Sequence, residues 1–310
     1  MNKNSKIYLA GHRGLVGSAI FKKLQEKGYS NIVVRTHAEL DLTRQADVED
    51  FFRDEKPEIV ILAAAKVGGI GANSRYSADF IYENLAIALN VIETARKHNV
   101  EKLINLGSSC IYPRLAPQPL KEEYLLTGAL EPTNEAYAIA KISAIKLCRY
   151  YNQQYSTNFL SLMPTNLYGP NDNYYLENSH VLAAFIRKFH EAKQSGKSVV
   201  LWGDGSPRRE FLHSYDLAEA IIFLLENKNA SDIGEIINVG TGADSTIREL
   251  AELVAGIIGY TGEVVWDTTK PNGTPQKLLD VSRIMNMGWK AKISLPRAIL
   301  SMYEDFLLHL

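Results

Sequence analysis

KIYLAGHRGLVGSAIFKKLQEKG, residues 6–28, decides the fold. Lys6–Ala10 is a short apolar run that reads as a buried strand, and the spacing from Leu15 to Lys27 is helical. Between them lie Gly11, Gly14 and Gly17, in the pattern G-x-x-G-x-x-G. Glycines here permit a tight turn, let the backbone approach a pyrophosphate and let the helix pack close on the strand. The first turn of the helix then offers free N–H groups and a positive dipole end to an anion. A glycine triplet alone is a weak signal. Between a strand and a helix it points to a dinucleotide held by Gly11, His12, Arg13, Gly14, Leu15, Val16 and Gly17.

The same alternation continues outward. Strands are expected at Asn31–Arg35, Glu58–Ala63, Lys102–Leu106 and Phe159–Met163, with helices at Gln45–Asp54, Phe80–His98 and Tyr137–Tyr151. Apolar strands alternating with amphipathic helices imply an α/β fold: a doubly wound, Rossmann-type parallel sheet covered on both faces. After Pro164 the texture changes. Leu167–Tyr175 and Lys270–Pro275 are rich in turn-forming residues and read as loops. Helices are expected at His180–Gln194, Ser214–Glu226 and Ser245–Gly256, with strands at Val199–Leu201 and Ile236–Val239. This half reads as a smaller α/β substrate-binding lobe. The expected division is a dinucleotide-binding domain at 1–165, rejoined by about 211–240. Residues 166–210 and 241–310 mainly form the second lobe.

The bulk numbers narrow the class. In 310 residues the formal net charge is −1, so no global field draws the chain to nucleic acid or an anionic lipid surface. No apolar run approaches the roughly 18 residues that span a bilayer, and the polar start lacks a signal-peptide core. Two cysteines, Cys110 and Cys148, make no disulfide framework, and the histidines show no paired metal-ligand spacing, so no metal is expected. A cytoplasmic location follows.

The end of the second strand selects the cofactor. An acidic residue there would bind the ribose hydroxyls of NAD, whereas this chain has Arg35, which with Arg13 can pair with a 2′-phosphate. NADP(H) is therefore expected. Leu106-Gly107-Ser108-Ser109-Cys110 ends another strand, at the sheet edge where doubly wound folds bind ligands. Tyr137 and Lys141 share one face of the helix that follows. An ammonium beside a phenol favours the phenolate and is expected to bring its pKa down from about 10. The phenol could then protonate a carbonyl oxygen as hydride reaches its carbon, with the Ser108 hydroxyl fixing that oxygen. A tyrosine and a lysine at this spacing also occur on ordinary helices. The upstream serine and glycine turn favour the chemical reading.

Together these features resemble the extended branch of the short-chain dehydrogenase/reductase superfamily, which acts on sugar nucleotides. Further segments narrow the likeness: AGHRGLVGSAI (10–20), AAAKVGGI (63–70), GSSCIYP (107–113), EPTNEAYAIAK (131–141), MPTNLYGPNDN (163–173), NSHVLAAFIRKFHEA (178–192), REFLHSYD (209–216) and KPNGTPQKLLDVSR (270–283). They are similar to the GDP-L-fucose synthase family. The resemblance implies an NADPH-dependent epimerase/reductase acting on GDP-4-keto-6-deoxy-D-mannose. It also implies Cys110 as base and His180 as acid in epimerisation, with Ser108, Tyr137 and Lys141 serving the reduction. Asn105, Leu106, Gly107, Ser108, Lys141, Pro164, Thr165, Asn166, Leu167 and His180 would line the cofactor. Lys188, Trp202, Arg209, Asn272 and Lys277 would bind the GDP-linked substrate, Asn272 standing where the family can carry an acid. A homodimer through a four-helix bundle, built from Phe80–His98 and Tyr137–Tyr151, is likewise implied. Two other readings stay open: another sugar-nucleotide 4-epimerase or reductase on the same scaffold, and a non-catalytic NADP sensor.

Overall fold

The computed structural model describes residues 2–176, 179–270 and 272–308. The first lobe runs β1 (Ile7–Ala10), α1 (Leu15–Glu26), β2 (Ile32–Val33), α2 (Gln45–Glu55), β3 (Ile59–Leu62), α3 (Ile70–Arg75), α4 (Ser77–Lys97), β4 (Lys102–Leu106), α5 (Glu135–Tyr155) and β5 (Phe159–Pro164). The chain then passes through β6 (Asn166–Tyr168), α6 (Val181–Ser195), β7 (Val199–Trp202), β8 (Arg208–His213), α7 (Ser214–Asn227), α8 (Ala230–Ile233) and β9 (Ile237–Val239). It ends with β10 (Asp244–Thr246), α9 (Ile247–Ile258), β11 (Val264–Asp267), β12 (Gln276–Lys277), α10 (Ser282–Asn286) and α11 (Leu295–Leu308).

Six strands form one parallel sheet in the order β2-β1-β3-β4-β5-β9. Both faces are covered, so alternate residues of one strand enter different cores. Ile7 and Leu9 of β1 join Ala19, Ile20 and Leu24 of α1 and Leu217 and Ile221 of α7. Tyr8 and Ala10 face Phe51 and Phe52 of α2 and Val91 and Ile92 of α4. Successive strands build outward from β1 in opposite directions, placing a crevice beyond the carboxyl ends of β1 and β3.

The second lobe packs α6, α9 and α11 around β7, burying Phe185, Phe189, Leu201, Val254, Ile299 and Met302. Leu167 and Tyr168, expected in a loop, instead lie in β6. Its residues pair in parallel with Phe211–His213 of β8, and Tyr168 is buried edge-on against Phe211 and His213. The turn-forming residues proper begin at Gly169, whose φ is +147°. Leu279, Val281, Ile284 and Trp289 return to the large core of the first lobe.

Glu210 stitches the lobes together. It is fully buried, and its carboxylate accepts from the backbone N–H groups of Gly242 at 2.7 Å and Leu279 at 2.9 Å, and from that of Thr241. Burial pushes this carboxyl up and those donors pull it back. β8 thus holds β12 in register, with Lys277 opposite Arg209. Among the described residues, no helix is long and apolar enough to cross a membrane.

Candidate active site

The glycine turn is built for close approach. Gly11 has φ +84°, and a Cβ there would lie 2.7 Å from Ala64 N. A Cβ on Gly17 would lie 2.0 Å from Gly11 O, so only glycine lets α1 start against the turn. On Gly14 it would meet only Gly11 O at 3.6 Å, which leaves that side open to a phosphate. The His12 Nδ1 is buried without a partner among the described residues. Open backbone, a helix N-terminus and an orphaned polar atom fit a bound dinucleotide.

β2 stops at Val33, short of the expected Arg35, which lies two residues beyond it with its guanidinium on Glu55 and over the Phe51 ring, 5.4 Å from the centroid. Exposed Arg13 and half-buried Arg35 both act on Glu39, which accepts from Thr36 N and Thr36 Oγ1. The two arginines therefore share one neighbourhood at the end of β2. Asn105 is buried inside the sheet, its amide donating to Ser161 Oγ at 3.2 Å. Its side chain is committed to the sheet rather than free for a ligand. Thr165 Oγ1 and Asn166 Nδ2 donate to Glu210 O at 3.2 and 2.8 Å, fixing the Pro164–Leu167 segment between the lobes.

Beyond β4, Ser108 caps a single 3₁₀ turn, Ser109–Ile111, its Oγ accepting from Cys110 N at 3.4 Å. Tyr137 and Lys141 occupy the first two turns of α5. Lys141 Nζ donates to Leu106 O at 2.8 Å and lies 5.6 Å from the Tyr137 ring centroid. The expectation that Lys141 lowers the phenol is not met here. Burial, and then the nearby Cys110, push Tyr137 above its ordinary value, so the phenol stays protonated. Burial brings Lys141 down to about 8. Cys110 is also pushed up by burial, while Lys277, Ser108 and Lys141 pull it back. An acid form of Tyr137 suits proton donation, and the ammonium can stabilise the phenolate as it forms.

The Val67–Ile70 segment joins these groups to the second lobe. Buried Asn84 clamps it, accepting from Lys66 N at 3.0 Å and donating to Lys66 O and Phe80 O. Buried Asn73 donates to both Gly68 O and Gly69 O. A Cβ on Gly68 would lie 3.2 Å from Phe80, whose ring meets that of Tyr137 edge-on at 6.3 Å. A Cβ on Gly69 would lie 3.2 Å from Ser179 O, immediately before His180. His180 is the exposed N-cap of α6, and its imidazole makes no capping bond. Asn178 lies outside the described residues.

The expected substrate residues form a strip. Lys277 lines a small cavity with Cys110. Arg209 is its β8 neighbour, brought down to about 10 by burial. A Cβ on Gly273 would lie 3.6 Å from Arg209 Nη2. Next to it, exposed Asn272 accepts from Asp204 N at 3.1 Å. Trp202 is 53% exposed, with Lys270 Nζ 5.7 Å from a ring centroid, and Lys188 Nζ donates to Val200 O at 2.9 Å. A flat ring and several cations thus extend outward from the thiol.

Residues 7–240 match the model of the NAD dependent epimerase/dehydratase family. The chain belongs to that family. It is 59% identical over 307 residues to GDP-L-fucose synthase 1 of Arabidopsis thaliana, covering 99% of this chain and 94% of the relative. It is 53% identical over 309 residues to GDP-L-fucose synthase of Escherichia coli (strain K12), covering 97% and 96%. Among solved structures, MlghC, a GDP-mannoheptose C4 reductase from Campylobacter jejuni with NADP bound, superposes with TM-score 0.92. It is 44% identical, with 99% of each chain covered.

For a member of the epimerase/dehydratase family, three features here were not expected from the sequence. Asp172 stands behind His180: its Oδ2 is buried with no donor among the described residues, burial pushes it up and His180 pulls it back. Buried Glu131 accepts from Thr133 Oγ1 and Thr274 Oγ1 at 3.2 Å each and meets Arg114 Nε at 3.3 Å. Asn73 and Asn84 fix the Gly68–Gly69 turn. Only the EPTNEAYAIAK and AAAKVGGI stretches hinted at the last two.

Proposed function

We propose that this chain is an NADPH-dependent epimerase/reductase that converts GDP-4-keto-6-deoxy-D-mannose to GDP-L-fucose. The likeness to GDP-L-fucose synthases over nearly the whole chain carries the reading. The thiol, phenol and lysine gathered beyond β4 support it.

Hydrogens beside a ketone are acidic because the enolate places charge on oxygen. Cys110 removes such a hydrogen from the third and fifth carbons in turn, and His180 returns a proton on the opposite face. The glycine turn would hold NADPH, which when bound would supply hydride to the fourth carbon. Tyr137 gives its proton to the ketone oxygen, which Ser108 holds, and Lys141 steadies the phenolate left behind. Arg209, Lys277 and Lys188 meet the phosphates, Trp202 offers its face to the base, and Asn272 closes that end.

The test is incubation with NADPH and GDP-4-keto-6-deoxy-D-mannose in deuterium oxide. We expect steady NADPH oxidation, with deuterium at carbons three and five. Oxidation without deuterium uptake would mark a GDP-sugar C4 reductase, the reading favoured by the MlghC likeness. No oxidation would overturn both. A non-catalytic sensor would bind NADPH and turn over nothing.

Arg35 and Arg13 hold the 2′-phosphate in this reading. Arg35→Asp is expected to weaken NADPH binding by about tenfold to a hundredfold, as for losing a charge-assisted hydrogen bond. NADH binding should change far less, and equal losses in a fluorescence titration would sink the assignment.

The remaining features are consistent with one picture. We infer a homodimer through a four-helix bundle of α4 and α5, which expose Tyr82, Leu89, Ile139 and Tyr150. Light scattering that returns a monomer at micromolar protein would refute it. Residues 1–165 with 211–240 form the cofactor domain, and 166–210 with 241–310 mainly the substrate lobe. The Leu279–Trp289 stretch packs with the former. Two free cysteines suit a reducing cytoplasm.

A further inference from the structure

We propose that Lys277 activates Cys110: the Lys277 amine takes the thiol proton, so that the base of the epimerisation is a thiolate held against an ammonium. This rests on the reading of Cys110 as that base. It gives Lys277 a positioning role beyond contact with the substrate's phosphates.

The geometry supporting this lies between the lobes. Cys110, Glu131, Thr274 and Lys277 line one cavity of about 10 Å³. Such a space holds about one water, and one water on the cavity wall can bridge the thiol and the amine that both line it. Lys277 cannot drift away, because β12 is paired to β8 at Arg208 and Arg209 and Glu210 fastens the chain again at Leu279.

Every charged or titratable group around the pair can be named. The thiol's own turn and the residues after it supply the Ser108 hydroxyl, Tyr112 and Arg114, α5 supplies Tyr137 and Lys141, β8 supplies Arg209, and the approach to α5 supplies Glu131. Lys141 is already engaged by Leu106 O. Glu131 is occupied by Thr133, Thr274 and Arg114. Tyr137 lies beside Lys141, and of the acids that act on Lys277 the thiol comes first, ahead of Glu131. Burial disfavours the charged form of each partner, and each charge offsets that cost for the other.

The step balances without any further reactant. The S–H bond of Cys110 breaks and an N–H bond forms at Lys277 Nζ. The thiolate then takes the hydrogen beside the ketone, and the C–H electron pair moves to the ketone oxygen.

Alkylation of Cys110 by iodoacetamide tests this in the full chain, without NADPH or sugar. Rates are followed against pH, with peptide mass spectrometry separating Cys110 from Cys148. Lys277→Met is expected to move the midpoint upward, slowing alkylation at neutral pH by about tenfold for each unit moved. Lys277→Arg, which keeps the charge, should stay near the parent profile. Alkylation of buried Cys148 reports a misfolded variant, in which case Lys277→Gln replaces Lys277→Met.

Superposed profiles for the parent and the neutral variant would overturn the proposal, as would an arginine variant shifted as far as the methionine one. Deuterium exchange separates this from the functional reading. A parent enzyme with a Lys277-dependent thiolate but no deuterium uptake would sink the base assignment and leave the pair standing.

Discussion

Tyr137→Phe is expected to slow NADPH oxidation about 10²- to 10⁴-fold, the usual worth of a positioned proton donor. NADPH binding and deuterium uptake into the sugar should stay near parent values. The ring keeps its edge-on contact with Phe80 and loses only the hydroxyl. Burial and the neighbouring thiol hold the phenol protonated, so the parent enzyme always has a proton to give. What titrates near working pH is Lys141, brought down to about 8. Below that value the ammonium is present and can stabilise the phenolate as the proton leaves. Above it the amine is neutral and that stabilisation is gone. The parent rate of hydride transfer should therefore be level below about pH 8 and fall as pH rises beyond it. A variant that oxidises NADPH at the parent rate, or that loses deuterium uptake equally, would remove Tyr137 from its role.

Much of this site was legible because its signals are local. Gly11, Gly14 and Gly17 sit within two turns of one another, and Gly11 and Gly17 each answer a steric demand that other residues fail. Tyr137 and Lys141 share a helical face by spacing alone. The alternating strands were equally plain, since strands buried on both faces are apolar almost throughout, with Asn105 and Ser161 as paired exceptions. What stayed hidden depends on pairing between distant segments. Nothing near Cys110 in sequence announces Lys277, which arrives through the β12–β8 register. Asp172 lies in a polar run where an acid is unremarkable until its Oδ2 is seen buried beside His180. Leu167 and Tyr168 resembled a loop because Gly169 and Pro170 follow at once, yet β8 recruits them into a strand. Lys141 lies over the Tyr137 ring, but its ammonium is also held by the carbonyl of Leu106, a partner no local spacing announces.

Cys110→Ser is expected to reduce deuterium uptake about 10²- to 10⁴-fold, because an alcohol is a far weaker acid–base catalyst than a thiol at neutral pH. Replacing sulfur by oxygen keeps the 3₁₀ turn and its cap on Ser108, which involve only the Cys110 backbone. NADPH oxidation with GDP-4-keto-6-deoxy-D-mannose should fall too, since reduction waits on epimerisation. Isotope effects separate the two variants. With hydride-deuterated NADPH, Tyr137→Phe should show a large effect, because hydride transfer limits the rate. Cys110→Ser should show almost none, because the slow step precedes it. His180→Gln supplies the third case: the thiolate still withdraws and exchanges hydrogen, but no proton returns on the opposite face. Its sugar should therefore take up deuterium without inversion. Parent-like exchange in Cys110→Ser, or a full hydride isotope effect in that variant, would mean that another group removes the proton. The Lys277–Cys110 pair would then have no epimerisation to serve.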